Sequence, residues 1–146
     1  MSVAVALDGS RSRLRVLPDE VAFVEPPPGM ATLTRFDITA LDESGFLFAL
    51  RSLEQPGVRL FVIPPQAYFV DYAPEVPASV RTALGLDAAA QPVMLAVVHP
   101  GGDDVTTANL LAPIVVNPLT GAAVQFVLDG DEWPLRAPLG VGTEAA

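Results

Sequence analysis

Residues 34–63 read TRFDITALDESGFLFALRSLEQPGVRLFVI, and this stretch decides the fold class. Over Thr34–Leu41, Phe36, Ile38 and Ala40 alternate with Arg35, Asp37 and Thr39. A period of two is the mark of a strand with one face buried. Asp42-Glu43-Ser44-Gly45 has the composition of a turn. Phe46–Leu50 is a continuous apolar run, as expected of a central strand. The two strands therefore make a hairpin. Gln55-Pro56-Gly57 turns the chain into a third strand, Val58–Ile63, which Pro64-Pro65 ends.

The flanks continue the pattern. Residues 1–16 alternate weakly through Val3, Val5, Leu7, Leu14 and Val16, as an edge strand or lead-in. Val21–Val24 is a short strand halted by Pro26-Pro27-Pro28-Gly29. Tyr68–Tyr72 reads as an extended aromatic stretch. One segment has helical spacing: Val80, Ala83 and Leu84, with Pro77 in the first turn and Gly85 as the stop, about two to three turns long. Val93–Val98 (VMLAVV) is a buried strand. Thr106–Leu111 and Ile114–Asn117 are strand-like, and Pro113 between them predicts a bulge or an edge position. Asn117–Gly121 is a turn, and Ala123–Leu128 returns as a strand. Periodicity fades after Gly130, and residues 140–146 are expected to form a disordered tail. The sum is a mainly β, barrel-like single domain over residues 1–139, with eight or nine short strands and one short helix.

Composition agrees. A chain of 146 residues is the size of one domain and buries a core without staples. Fifteen prolines argue against a helical protein. With no cysteine, disulfide and thiolate chemistry are excluded, which fits a reducing compartment. The N-terminus lacks the basic region of a signal peptide and no run approaches a membrane span, so the expected location is the cytoplasm. All eight basic residues are arginine, against seventeen Asp and Glu, for a net charge of −9. Such a surface repels nucleic acid and anionic membrane. It favours a basic partner, or serves solubility alone.

Little of the sequence carries catalytic chemistry. His99 is the only histidine and has no nucleophile motif beside it, so a loop position is its simplest reading. Asp103-Asp104 and Asp129–Glu132 lack the calcium-loop pattern, and no metal site or cofactor is expected. No phosphate-cradling glycine loop is present. Without lysine, a side-chain Schiff base is impossible. A carboxylate pair remains open to an acid–base enzyme, because distant residues meet in a fold. Tyr68, Phe69 and Tyr72 lie near Asp71 and Glu75, and acid with aromatic suits a protein-binding edge; the alternative is Phe69 in the core with the tyrosines capping it.

From Val21 to Leu139 the chain resembles the flagellar assembly factor FliW family. The segments that carry the resemblance are FLFALRSLEQPGVRLF (46–61), VIPPQAYFVDY (62–72), Leu84-Gly85-Leu86, Val93–Val98, TANLLAPIVVN (107–117), Pro118–Gly121 and LRAPL (135–139). They occur in the family's order and spacing. The chain departs from the family at Glu25–Met30, where a Gly-Leu-Pro-Gly-Phe-like turn is usual, and in its short tail, whose only charge is Glu144.

The resemblance implies a small β-barrel-like fold and a non-enzymatic partner switch. FliW-like proteins bind the RNA-binding regulator CsrA and relieve its repression of flagellin synthesis. They also bind flagellin, in a chaperone-like exchange. The partners implied are thus CsrA and flagellin, with no nucleic acid or membrane, and the free protein is expected to be a monomer. Glu54, Asp71, Tyr72 and Asn109 are the expected protein-binding residues. For Asn109, and for Asn117, satisfying buried backbone at a bulge is the competing role. The alternative function is a β-barrel ligand-binding protein or carboxylate-dependent enzyme; a structural subunit of a larger assembly is a third.

Overall fold

A computed structural model of the chain describes residues 2–6, 14–30, 32–87, 91–101, 105–130 and 132–139. The strands are β1 (Ser2–Ala6), β2 (Leu14–Pro18), β3 (Glu20–Phe23), β4 (Arg35–Ala40), β5 (Phe48–Ser52), β6 (Arg59–Ile63), β7 (Val93–His99), β8 (Thr107–Ala108), β9 (Ile114–Val116), β10 (Ala122–Gln125) and β11 (Ala137–Pro138). A 3-10 turn (Pro65–Ala67) and one helix, α1 (Ala78–Ala83), lie between β6 and β7.

Seven of the strands close into a barrel, in the order β3-β4-β5-β6-β7-β9-β10 and back to β3. Around a closed ring, strand direction alternates perfectly only if the strand number is even. Seven strands therefore require a parallel pair, and that pair is β10 with β3, Ala122 opposite Ala22 and Ala123 opposite Phe23. The seam is short. Ala22 N–H donates to Gly121 O at 2.9 Å, and Val24 N–H to Ala123 O at 2.8 Å. Gly121 makes the approach possible. Its φ is +81°, and a Cβ there would lie 2.5 Å from Glu20 O.

Phe36, Ile38, Phe48, Leu50, Val62, Leu95, Ile114 and Val116 fill the interior. Burying each such side chain contributes about 1.5–3 kcal/mol. The β1–β2 ribbon adds Val5 and Leu17 to this interior and is tied to the barrel where Ala6 N–H donates to Gly45 O. Two outer layers cover part of the barrel's outside. One sets Tyr72, Phe69 and Trp133 over Ile63, Ala96 and Val98. The other sets Leu84 and Leu86, at the end of α1, over Val115 and Val124. β7 is therefore covered on both faces, which explains its unbroken VMLAVV. On β4, Arg35 and Thr39 stay exposed and Asp37 half-exposed, which explains its alternation.

One edge of β7 pairs with β9 along Val93–Leu95 and with β8 at Val98–His99. From Ala108 to Ile114 the chain takes six steps while β7 takes three, from Val98 to Leu95. The surplus is a bulge over residues 109–113. Its polar backbone is well supplied. Asn109 N–H donates to Val97 O and Leu110 N–H to Pro134 O. Leu111 and Ala112 N–H both donate to Asn109 Oδ1, at 3.1 and 3.0 Å. Pro113 has no N–H to place. The carbonyls of Leu110, Leu111, Ala112 and Pro113 accept from Tyr72 Oη, Leu128 N, Gln125 Nε2 and Phe126 N respectively.

Several sequence expectations need correction. Tyr68–Tyr72 is a turn, not an extended stretch: Tyr68 and Phe69 N–H fold back onto Pro65 O, and Tyr72 N–H onto Phe69 O. The helix has six residues, shorter than expected, with Pro77 as its N-cap; Gly85, at φ +72°, ends it as expected. β8 is only two residues long because the bulge begins at Asn109. Ala40, expected on the buried face with Phe36 and Ile38, is exposed although it still pairs with Phe48 of β5. Residues 1–16 supply two paired strands, and the end of the chain supplies β11, whose brevity hid it. The expectation for residues 140–146, and for Asp103-Asp104, lies outside the described residues.

Two pairs of substitutions test these contacts. Gly121→Ala should lower stability clearly more than Gly57→Ala, read as the shift in urea midpoint. Both glycines have positive φ, which costs a side chain about 1–2 kcal/mol, but nothing lies within 4 Å of a Cβ at Gly57. Equal shifts would show that the seam bears no weight. Tyr72→Phe should cost about 1–3 kcal/mol by leaving the buried Leu110 carbonyl unmatched. Tyr68→Phe should cost less, because Tyr68 Oη donates to the part-buried Phe46 O, which water can reach.

Candidate functional site

The four residues expected to contact partners fall into two groups. Glu54 and Asp71 are exposed, while Tyr72 and Asn109 are buried. Tyr72 is 0% exposed. Its hydroxyl donates to Leu110 O at 2.8 Å and its ring stands edge-on to Trp133 at 4.8 Å. Burial pushes its phenol well above the ordinary tyrosine value. Tyr72 therefore presents nothing to a partner in this fold, and its expected surface role is corrected to a packing one. Asn109 is corrected likewise, because its Oδ1 is committed to the bulge. Asn117 plays a similar part. Its Nδ2 donates to Leu84 O, tying the end of α1 to β9, and its Oδ1 accepts from Leu119 N.

Glu54 is exposed but also structural. It sits in the turn after β5, where Ser52 Oγ accepts from Glu54 N and Gln55 N. Its own Oε1 accepts from Thr34 N at 2.8 Å and Arg35 N at 2.9 Å, capping the start of β4. The Arg35 N–H first, then that of Thr34, hold its carboxyl below the ordinary glutamate range. Asp71 makes no hydrogen bond or ion pair among the described residues. Glu54 and Asp71 lie on different loops, Glu54 after β5 and Asp71 between the 3-10 turn and α1. Tyr68 is half-buried; burial, then the Asp42 carboxylate, raises its phenol.

Two open grooves border the segment that follows Tyr72. One, of about 720 Å³, is lined in part by Arg15, Arg81, Gln66 and Gln91. The other, of about 410 Å³, is lined in part by Phe126, Asp129, Glu132 and Trp133. Pro74, Glu75 and Val76 form a wall of both. In sequence, Asp129–Glu132 is weighed only as a calcium loop, which it does not match, and the second groove goes unanticipated. The available signal was the chain's single tryptophan directly after those acids.

Among the described residues the buried polar side chains are Asn109 and Asn117, so no carboxylate occupies a desolvated site. No three described His, Asp or Glu side chains gather where they could hold a metal ion. His99 is exposed at the end of β7. No described helix is long and apolar enough to cross a membrane.

The barrel is similar to a known one. The crystal structure of a flagellar assembly factor FliW matches it with a TM-score of 0.74, over 94% of this chain and 96% of that one. At 22% identity that is a likeness of fold. Sequence carries the relation further. The flagellar assembly factor FliW of Syntrophotalea carbinolica is 33% identical over 119 residues, covering 82% of this chain and 85% of that protein. The flagellar assembly factor FliW of Symbiobacterium thermophilum is 32% identical over 118 residues, covering 80% and 86%. The family described as FliW protein matches residues 13–139, and the chain therefore belongs to the FliW family of flagellar assembly factors.

Proposed function

We propose that this chain is a partner switch in the cytoplasm. It binds a CsrA-type RNA-binding regulator and relieves the repression of flagellin synthesis. Newly made flagellin captures it in exchange and returns the regulator to its repressing form. The observation that carries this reading is membership of the FliW family across residues 13–139. The net charge of −9 supports it, since a protein that holds RNA needs basic surface and an acidic partner complements it. The switch needs no chemical step. It needs only that the regulator's two states bind this protein with different affinity. Of the four candidate contact residues, Asp71 and Glu54 stay in the proposal because their carboxylates reach solvent.

Titration of the purified chain with its cognate CsrA and cognate flagellin tests the reading. Binding of both in the micromolar range or tighter is expected, weakening as salt rises past about 0.1 M, where screening reaches about 10 Å. Absence of binding to either partner would end it. Asp71→Arg should weaken at least one complex by about tenfold, and an unchanged affinity would remove Asp71 from the interface.

Glu54→Gln separates charge from capping, because the amide oxygen still accepts from Thr34 and Arg35. The folded carboxyl lies below its ordinary value of 4.5. Its contribution to stability is therefore complete above that value and lost as pH falls through the lowered folded value. The stability gap between native protein and Glu54→Gln should accordingly be present at pH 7 and close in acid, as followed by urea unfolding. A gap independent of pH would assign the contribution to shape, not charge.

A further inference from the structure

The segment Ala73-Pro74-Glu75-Val76-Pro77 leaves the buried Tyr72 and enters α1. Each proline ring fixes its own φ near about −65° and drives the preceding residue into an extended conformation. Ala73, Pro74, Val76 and Pro77 are all held this way, and Pro77 stands at φ −62°, ψ 153°. An extended chain presents its N–H and C=O groups sideways, ready to pair. Among the described residues, none of the N–H groups of Ala73, Glu75 and Val76 has a partner, nor have the carbonyls of Ala73–Val76. The contrast with the bulge is direct. Residues 109–113 make the same length of irregular chain, and all four of their N–H groups are used.

The groove on one side of this rung has a definite chemistry. Its described lining holds three carboxylates, Glu75, Asp129 and Glu132, and no cationic side chain. Between them lie apolar and aromatic surfaces, including Phe126, Trp133 and Val127, the last 65% exposed. The Trp133 ring is held from behind by Tyr72. Its indole N–H has no acceptor among the described residues. The groove on the other side of the rung shares Glu75 but adds Arg15 and Arg81. The two sides thus differ in sign.

We propose that the Trp133 groove receives an extended, cationic segment of a partner protein, which lies alongside Ala73–Pro77. Its backbone pairs with the N–H and C=O of Glu75, which an extended residue presents on one edge. Its basic side chains are set among Glu75, Asp129 and Glu132, and one of them lies over the Trp133 ring. Its apolar side chains cover Val127 and Phe126. The inference rests on the protein-binding reading only in making the occupant a protein segment; it does not depend on which partner supplies it.

Trp133 is the only tryptophan, so its emission reports on the groove. The probes are two capped ten-residue peptides, one alternating Val with Arg and one alternating Val with Glu, titrated into the full chain. The Val/Arg peptide should shift the emission saturably. Its affinity should fall at least tenfold in Asp129→Arg/Glu132→Arg, and also in the milder Asp129→Asn/Glu132→Gln, which guards against misfolding of the first. Silence of Trp133 towards the Val/Arg peptide up to about 1 mM, an equal response to the Val/Glu peptide, or unchanged affinity in both variants would each overturn the proposal. The same variants titrated with cognate CsrA and flagellin separate the two readings. If the partners bind all forms alike and the peptide is silent, the groove fails and the switch stands. If the peptide binds but neither partner does, the switch fails and the groove stands.

Discussion

Seven is an odd number, and the barrel depends on that fact. Antiparallel neighbours alternate in direction, so a ring of seven strands must meet once in parallel. Here the meeting is β3 against β10, with two residue pairs to hold it. So short a seam tolerates no obstruction, and Gly121 marks the place where β3 comes closest. The other six pairings around the ring are antiparallel. They draw on a shared interior that no part of them fills alone. Closure makes one core out of strands of three to seven residues, few of which would persist as isolated hairpins.

Much of this was legible in the sequence wherever a strand has one or both faces consistently covered. β4 alternates because one side meets the core and the other meets water. β7 does not alternate because Tyr72 and its neighbours cover its outer face. Both patterns follow from burial, so periodicity found both strands. It failed where polar backbone is satisfied by something other than a neighbouring strand. Tyr68–Tyr72 has an aromatic composition that suits a strand, yet its N–H groups fold back onto Pro65 and Phe69. The sequence TANLLAPIVVN looks like one interrupted strand. The interruption is a bulge whose bonds come from Tyr72, Val97, Gln125–Leu128 and Pro134, and no local pattern announces partners so distant.

The same limit applies to the site. Tyr72 and Asn109 stood out as polar or aromatic residues in family-like segments, and both are committed to the interior. A tyrosine whose hydroxyl meets a buried carbonyl is indistinguishable, in sequence, from one that faces a partner. Asp71 and Glu54 remained at the surface, but Glu54 also caps β4. The exposed groove beside Trp133 is assembled from chain ends and connections, where periodicity says nothing. Its clearest sign in the sequence was compositional: an aromatic residue placed after a run of acids.

The seam and the bulge also bear on how the protein is made. β3 is synthesised long before β10, and the bulge needs Gln125–Leu128 and Pro134 before its carbonyls are matched. Until those residues leave the ribosome, the earlier strands form at most an open sheet, with β3 and β9 as unpaired edges. Open edges recruit other chains. A nascent chain of this kind is therefore most vulnerable just before it is finished, and its excess of negative charge, which repels identical copies, serves it best at that moment.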